Sequence, residues 1–496
     1  MNSRAMENQT IRQPSPLLSL IPVVVLVSLL FITIRMFGND ALSGSSQIVL
    51  LVASAVCCLI AIAYCKIKWH TIEQVISKNI ADVSPAILIL LIIGALSGAW
   101  MISGVVPTLI YYGMGIIHPS YYLVSTCIIC AIVSVVIGSS WTTIATVGVA
   151  LLGIGQALGF SPGWIGGAII SGAYFGDKIS PLSDTTVLAS SITGTPLFIH
   201  IRYLMITTIP TLLISLAIFT VAGFSHTITS TEHIDTFSAL LREKFIISPW
   251  LLLVPAITLF MIIKRIPAII TLFLSTLLAG IVALIVQPHI LQEIAGGGAA
   301  FKGLLMTLYG STGINTGNAE LNDLVSTNGM AGMLNTVWLI ICAMVFGGTM
   351  LASGMLKSLM SVFVRFMRRT FSTVTSTVAT GLFMNLTTAD QYISIILTGN
   401  MFKDVYRRKG FESRLLSRTI EGSVTVTSPL IPWNTCGMTQ SMILGISTFV
   451  YLPYCFFNLI SPLMDIFIAG TGYKIYRTDK NANEEQSEEV LEEKER

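Results

Sequence analysis

The chain has 496 residues, 53% of them hydrophobic and 11% charged, with a formal net charge of +3. That composition excludes a soluble enzyme and fits one polytopic membrane domain, an all-α fold whose helices satisfy their own backbone inside a bilayer. The eight cysteines lie in or beside apolar stretches. Cys127 and Cys130 form a CxxC with no second pair and no histidine near it, so they read as small buried hydrophobes and not as a zinc or redox site.

Apolar runs near 20 residues mark membrane spans. They fall at 17–37, 48–65, 85–106, 164–191, 203–224, 246–263, 267–286, 334–356, 421–446 and 449–469, with 164–191 and 421–446 each broken in the middle. The run 17–37 is too long for a signal-peptide core and lacks a small-residue cleavage site, so it counts as the first span. Lys66, Lys68 and Lys78 place the 66–84 connection in the cytoplasm, whereas 111–122 carries no Lys or Arg and falls outside. Lys264 and Arg265 return the chain to the inside, and the slightly acidic loops 226–244 and 289–333 lie outside. Lys357, Arg365, Arg368, Arg369 and the basic stretch 403–418 are cytoplasmic. The outcome is ten crossings, both termini inside, and a solvated acidic tail at 479–496.

The stretch 371–401 is basic at both ends but only 31 residues long, where two full spans need about 40 at 1.5 Å rise per residue. A re-entrant hairpin opening to the cytoplasm is predicted there. The stretch 121–155, with uncharged flanks, should dip from the outside.

Self-similarity supports paired halves. Gly98, Ser103 and Gly104 recur as Gly348, Ser353 and Gly354, an offset of 250. At that offset Gly138–Trp141 falls on Thr388–Gln391, and Asp184–Thr185 on Asn434–Thr435, just after proline-containing breaks. The first half's opening connection is uncharged and the second half's carries four basic residues, which makes the repeats inverted, the arrangement of secondary transporters with broken helices meeting at the midplane. The expected layout is an N-terminal segment at 1–84 with two spans, repeats at 85–200 and 334–450, connecting helices and loops at 201–333, and a last span with its tail at 451–496.

The candidate site is the string GDKISPLSDTT at 176–186. Carboxylates at bilayer depth are costly and usually mark an ion or proton path. Asp177 and Asp184 stand seven residues apart, and Pro181 should unwind the chain between them. Freed carbonyls near Ser180, the hydroxyls of Ser183, Thr185 and Thr186, and a carboxylate form a hard-oxygen set suited to a small hard cation. Lys178 beside Asp177 would tune its charge. From the second half come Asp390 as a further coupling acid and Asn385, Asn434 and Thr435 as cation ligands, with Asn434 the neutral counterpart of Asp184. Glu421 reads as an interfacial ion-pair partner of Arg418, and Asp465 as paired locally or hydrogen-bonded to a neighbouring helix. The six histidines lie in connections or span ends, which leaves carboxylates to carry protons. Trp141 and Trp433 flank the breaks, where they would pack against the hairpin tips or gate the site. No arginine falls near the centre of a span, which tilts the cargo toward a cation and away from an organic acid.

The string 176–186, together with GAWMISGVVPTLIYY at 98–112 and the stretches 387–400 and 432–437, resembles the NhaC family of sodium/proton antiporters, from about residue 16 to 470. The resemblance implies a carrier of a bacterial inner membrane that extrudes sodium, or lithium, against protons. The same family includes carriers that resemble sodium- and proton-coupled malate/lactate exchangers, so an organic-acid exchanger stands as the alternative. Cation and protons would take turns on the same carboxylates during alternating access. No cofactor is expected. The expected partners are sodium, protons and the lipid bilayer, with a homodimer as candidate assembly and no nucleic acid. A membrane-embedded enzyme fits less well, since HExxH and GxSxG are both absent.

Overall fold

The computed structural model describes residues 12–37, 44–225, 231–264, 266–314, 316–317, 321–322 and 325–478, with only the backbone described at 34 and 231–237. Both chain ends, the acidic tail, Arg265 and His226 therefore lie outside the described residues. The described residues are helical apart from turns and one isolated bridge between Phe411 and Arg477.

Helices α1 (Pro16–Phe37) and α2 (Ser45–Ala63) pack together and lead into α3 (Trp69–Ile102). The last is 34 residues long and absorbs most of the expected 66–84 connection, so the expected boundary at 84 falls inside a helix. Pro85 does not start it, because Ser84 Oγ donates to the Ala81 carbonyl (2.8 Å) that the proline leaves without its helical N–H. At Ser103 and Gly104 the helix ends, and α4 (Val105–Ile116) begins in what was expected to be a connection. Gly104 has φ +83, a backbone state costly for residues with a Cβ.

Next comes a hairpin of α5 (Tyr122–Ile137) and a return arm formed by α6 (Ser140–Thr143), a π-turn at Ile144–Gly148 and α7 (Val149–Ala157). Tyr122 OH donates to the Leu151 carbonyl across the arms (2.5 Å), which requires them to run antiparallel. The broken pair α8 (Pro162–Ile179) and α9 (Asp184–Thr193) follows, then α10 (Leu197–Ser225). α8 lies against α5 so closely that a Cβ on Gly172 or Gly176 would strike the Cys127 or Ala131 carbonyl. Cys127 and Cys130 are free and buried in that contact.

The two long loops are in part helical: α11 (Thr231–Lys244) in the first, α14 (Pro288–Ile294) and α15 (Ala300–Tyr309) in the second, flanking α12 (Leu253–Ile263) and α13 (Ala268–Val286). Instead of one straight span at 246–263, the chain turns by 89° between Ser238–Lys244 and Pro249–Ile263.

The second half repeats the first. α16 (Leu334–Ala352) ends at Ser353 and Gly354 (φ +71) and passes into α17 (Met355–Arg365). Its hairpin joins α18 (Thr370–Thr388) to α19 (Gln391–Arg408), and a hydrogen bond between Thr377 Oγ1 and Tyr406 OH (2.9 Å) again makes the arms antiparallel. The arms reach from 370 to 408, so each is about 28 Å long, more than the expected 371–401 allows. The second broken pair is α20 (Ser413–Ile420), continued by a π-turn at Glu421–Thr425 and a short 3-10 turn at Ser428–Leu430, and then α21 (Thr435–Leu444). The chain closes with Thr448–Tyr454 bent by 55° into α22 (Phe456–Thr471).

Eight helices among the described residues are long and apolar enough to cross a bilayer, ten if each bent pair is one span. The total equals the expected ten, but its members differ. Pro119–Ile137 and Ser140–Ala157, the arms of the first hairpin, count as spans, while the broken pairs do not.

The repeat register changes along the chain. The Ser-Gly helix ends match at an offset of 250. At the hairpin tips Gly138 (φ +74) matches Ala389 (φ +57), one residue later than that offset requires, and Ser139 and Asp390 both cap the return arm. At the breaks Ser183 and Asn434 are the matching caps, so Asn434 is the counterpart of Ser183 and not of Asp184. One extra residue between the Ser-Gly turn and the hairpin tip of the second half explains the slip. The return arm of each hairpin packs against the terminal half-helix of the other repeat: α19 on α9, and the first hairpin's π-turn on α21. That crossing brings the two breaks and the two tips together.

Candidate functional site

Asp177 lies in the last turn of α8, which stops at Ser180 because Pro181 follows. Its carboxylate is buried and accepts two short hydrogen bonds, Ser140 Oγ to Oδ2 (2.7 Å) and Ser183 Oγ to Oδ1 (2.6 Å). Ser140 comes from the first hairpin tip and Ser183 from the cap of α9, so three elements converge on one acid. Ser183 Oγ lies 3.0 Å from Thr185 Oγ1, which donates to Glu421 Oε1 (3.0 Å) across the repeat boundary. Thr186 Oγ1 donates to the carbonyls of Asp177 (3.2 Å) and Lys178 (3.1 Å) in the last turn of α8, where the helix runs out of its own N–H donors.

Other expected ligands sit elsewhere. Asp184 opens α9 with an exposed side chain, apart from the buried oxygens. Ser180 Oγ turns to the Val135 carbonyl of the first hairpin (2.8 Å).

Lys178 is fully buried but does not turn to Asp177. Its Nζ donates to Ser461 Oγ (2.8 Å) in α22 and lies 5.8 Å from the Phe457 ring. Glu421 and Arg418 overturn the interfacial reading. Both are fully buried, and Arg418 pairs with Asp465 (Nε to Oδ1, 3.3 Å) while its guanidinium stacks 4.5 Å from the Tyr203 ring. The reason is that α20 carries the end of the basic stretch inward, and Gly422 lets α22 bring Asp465 against it. An arginine therefore does lie in the core. The available signal was Asp465: an acid in the last span calls for a partner, and a basic residue carried inward is one that satisfies it. His200 is also buried, its Nδ1 2.8 Å from Ser417 Oγ, although it begins a span.

The second half forms its own polar cluster. Asp390 caps α19, with Oδ1 accepting from Ile393 N (2.9 Å) and Oδ2 from Thr435 Oγ1 (3.1 Å). Thr435 N donates to the Ala389 carbonyl (2.9 Å), and Asn434 Nδ2 to the Asn385 carbonyl (3.2 Å). Asn385 Nδ2 reaches the Val424 carbonyl (2.7 Å) and Thr427 Oγ1 (3.1 Å). These four residues, expected to meet, do so at the second tip and break. Trp433 Nε1 donates to the Leu386 carbonyl (2.9 Å), fastening that tip.

A separate cavity of about 530 Å³ lies between α3, α7, the end of α21 and the segment 326–333. Its polar lining is Ser97, Gln156, Ser326, Thr327 and Asn328, without a charged side chain.

The profile of the Na+/H+ antiporter family matches residues 172–473. The chain is 34% identical over 431 residues to the Na(+)/H(+) antiporter NhaC of Alkalihalophilus pseudofirmus, covering 86% of this chain and 91% of that one. It is 35% identical over 416 residues to the malate-2H(+)/Na(+)-lactate antiporter of Bacillus subtilis, covering 84% and 87%. To the arginine/ornithine antiporter ArcD of Halobacterium salinarum it is 32% identical over 480 residues, covering 96% of each.

Proposed function

We propose that this chain, which belongs to the Na+/H+ antiporter family, exchanges sodium, or lithium, for protons as a multi-pass protein of a bacterial inner membrane. The observation that carries the reading is Asp177: a buried carboxylate at a helix break, held by hydroxyls from two elements while the adjacent Lys178 turns away to Ser461. A hard cation takes such oxygens only from the deprotonated acid, so cation and proton exclude each other there. Asp390, at the tip of the second hairpin, is the further coupling acid, and the exposed Asp184 is a first contact for an arriving ion. Movement of one repeat-derived bundle against the other presents the site to each side in turn. Both termini lie in the cytoplasm, the repeats occupy 85–200 and 334–450, and a homodimer is the assembly to test.

The organic-acid alternative gains one observation, the buried Arg418. Its guanidinium already faces Asp465, however, which sets its charge against a carboxylate of the chain itself. The discriminating measurement is a preformed pH gradient in everted vesicles. Sodium or lithium alone should dissipate it. Sodium movement that requires malate, lactate or an amino acid would replace this reading.

A further inference from the structure

The geometry points to Glu421 as a second carboxylate of the sodium site, which spans Asp177, Ser183, Thr185 and Glu421 and holds one monovalent cation. This rests on the exchange reading above and adds the site's composition and charge.

Two observations converge. The first is charge. The buried cluster holds Asp177, Glu421 and Asp465 against Lys178 and Arg418. Arg418 faces Asp465, and Lys178 gives its hydrogen bond to Ser461 and not to a carboxylate. One negative charge is left over, and an uncompensated carboxylate in the core is expensive. His200, buried on the far side toward Ser417, is the other ionisable group facing Lys178.

The second is proton count. Asp177 Oδ1, Ser183 Oγ, Thr185 Oγ1 and Glu421 Oε1 form a row with contacts of 2.6, 3.0 and 3.0 Å. Each hydroxyl has one proton. Ser183 spends its proton on Asp177 and Thr185 spends its own on Glu421, so the middle contact has oxygens on both sides and no proton of its own. One positive occupant, sodium or a further proton, satisfies the row and cancels the surplus charge together. Glu421 Oε2 is fully buried and has no hydrogen-bond partner, which leaves it free to ligate. The residue sits in the π-turn Glu421–Thr425, an irregularity that re-aims side chains and recurs at functional sites. Two carboxylate and two hydroxyl oxygens suit a small hard cation.

The test is equilibrium binding of radioactive sodium to the purified full-length protein, alongside exchange in liposomes. Glu421→Gln keeps the shape and removes the surplus charge. It should weaken sodium binding by about tenfold or more, as Asp177→Asn should, while the protein stays monodisperse. Glu421→Asp keeps the charge but withdraws the ligand, and should change the sodium-to-lithium preference. Parent affinity in Glu421→Gln, with Asp177→Asn defective, overturns the inference and leaves the exchange reading standing. If Glu421→Gln does not fold, parent affinity and parent ion preference in Glu421→Asp overturn it. A parent protein that neither binds nor exchanges sodium overturns both.

Discussion

The two helix breaks share one backbone and differ in chemistry. Each follows a hairpin whose tip has a residue at positive φ, Gly138 or Ala389. Each half-helix is capped by a polar side chain, Ser183 or Asn434, and ends at a positive-φ glycine, Gly194 or Gly445. In the same register Asp177 corresponds to Ser428 and Ser140 to Gln391. The hydrogen bond from Ser140 to Asp177 (2.7 Å) recurs as one from Ser428 to Gln391 (2.7 Å), with the acid replaced by an amide and moved to the hairpin. The fold thus repeats the geometry and confines the charge at this bond to the first half. A cation has an ionic partner at one break and only dipoles at the matching position of the other.

The largest effect should come from the charged member of that pair. Asp177→Asn should lower sodium/proton exchange in liposomes by about a hundredfold or more, since the amide keeps the shape and loses the charge, with only its oxygen still accepting. Ser428→Ala, at the counterpart, should keep exchange within about threefold, the scale of one neutral hydrogen bond. Equal losses in the two variants would end the asymmetry argument.

Breaking the buried Arg418–Asp465 pair should act mainly on stability. Asp465→Asn alone should cost about 3–5 kcal/mol by leaving Arg418 unpaired, read as a lowered melting temperature in detergent. Replacing both together, Arg418→Met with Asp465→Leu, should recover much of that loss. A double variant no more stable than the single would indicate that the pair serves the exchange cycle and not the core.

Asp390→Asn sharpens the comparison from the second half. Asparagine caps a helix about as well as aspartate, so folding should hold. Exchange should fall by about tenfold if the tip's charge is used in coupling, and stay at the parent rate if Asp390 is only a cap; the exchange rate at saturating sodium decides.

The smallest effect concerns the tips. Ala389 has φ +57, where glycine is favoured, so Ala389→Gly should stabilise by up to about 1 kcal/mol. Gly138→Ala should destabilise, because a Cβ there meets Leu182. Melting temperatures of the two variants test whether the tips are equivalent.

The apolar helices, the two hairpins, the two breaks and Asp177 were all legible in the amino-acid order. The helices, the breaks and Asp177 each depend on a local cost: apolar length, proline without an N–H, or an acid at membrane depth. The hairpins were placed on the premise of too little chain for two spans, which the arms overturn, since they reach from 370 to 408 in the second half and are long enough to cross in the first. The repeat was legible too, but only to within a residue, since an offset counted along the chain cannot reveal one inserted before the tip. Which of the two acids flanking Pro181 faces inward was settled by packing. Unwinding breaks the helical phase that would have set both on one face, so Asp177 is buried and Asp184 exposed. Packing likewise carries Arg418, the last basic residue of a cytoplasmic-looking stretch, into the core. Whether that side chain meets water or Asp465 depends on α20 continuing inward and on Gly422 admitting α22, and both are contacts between segments distant in the chain.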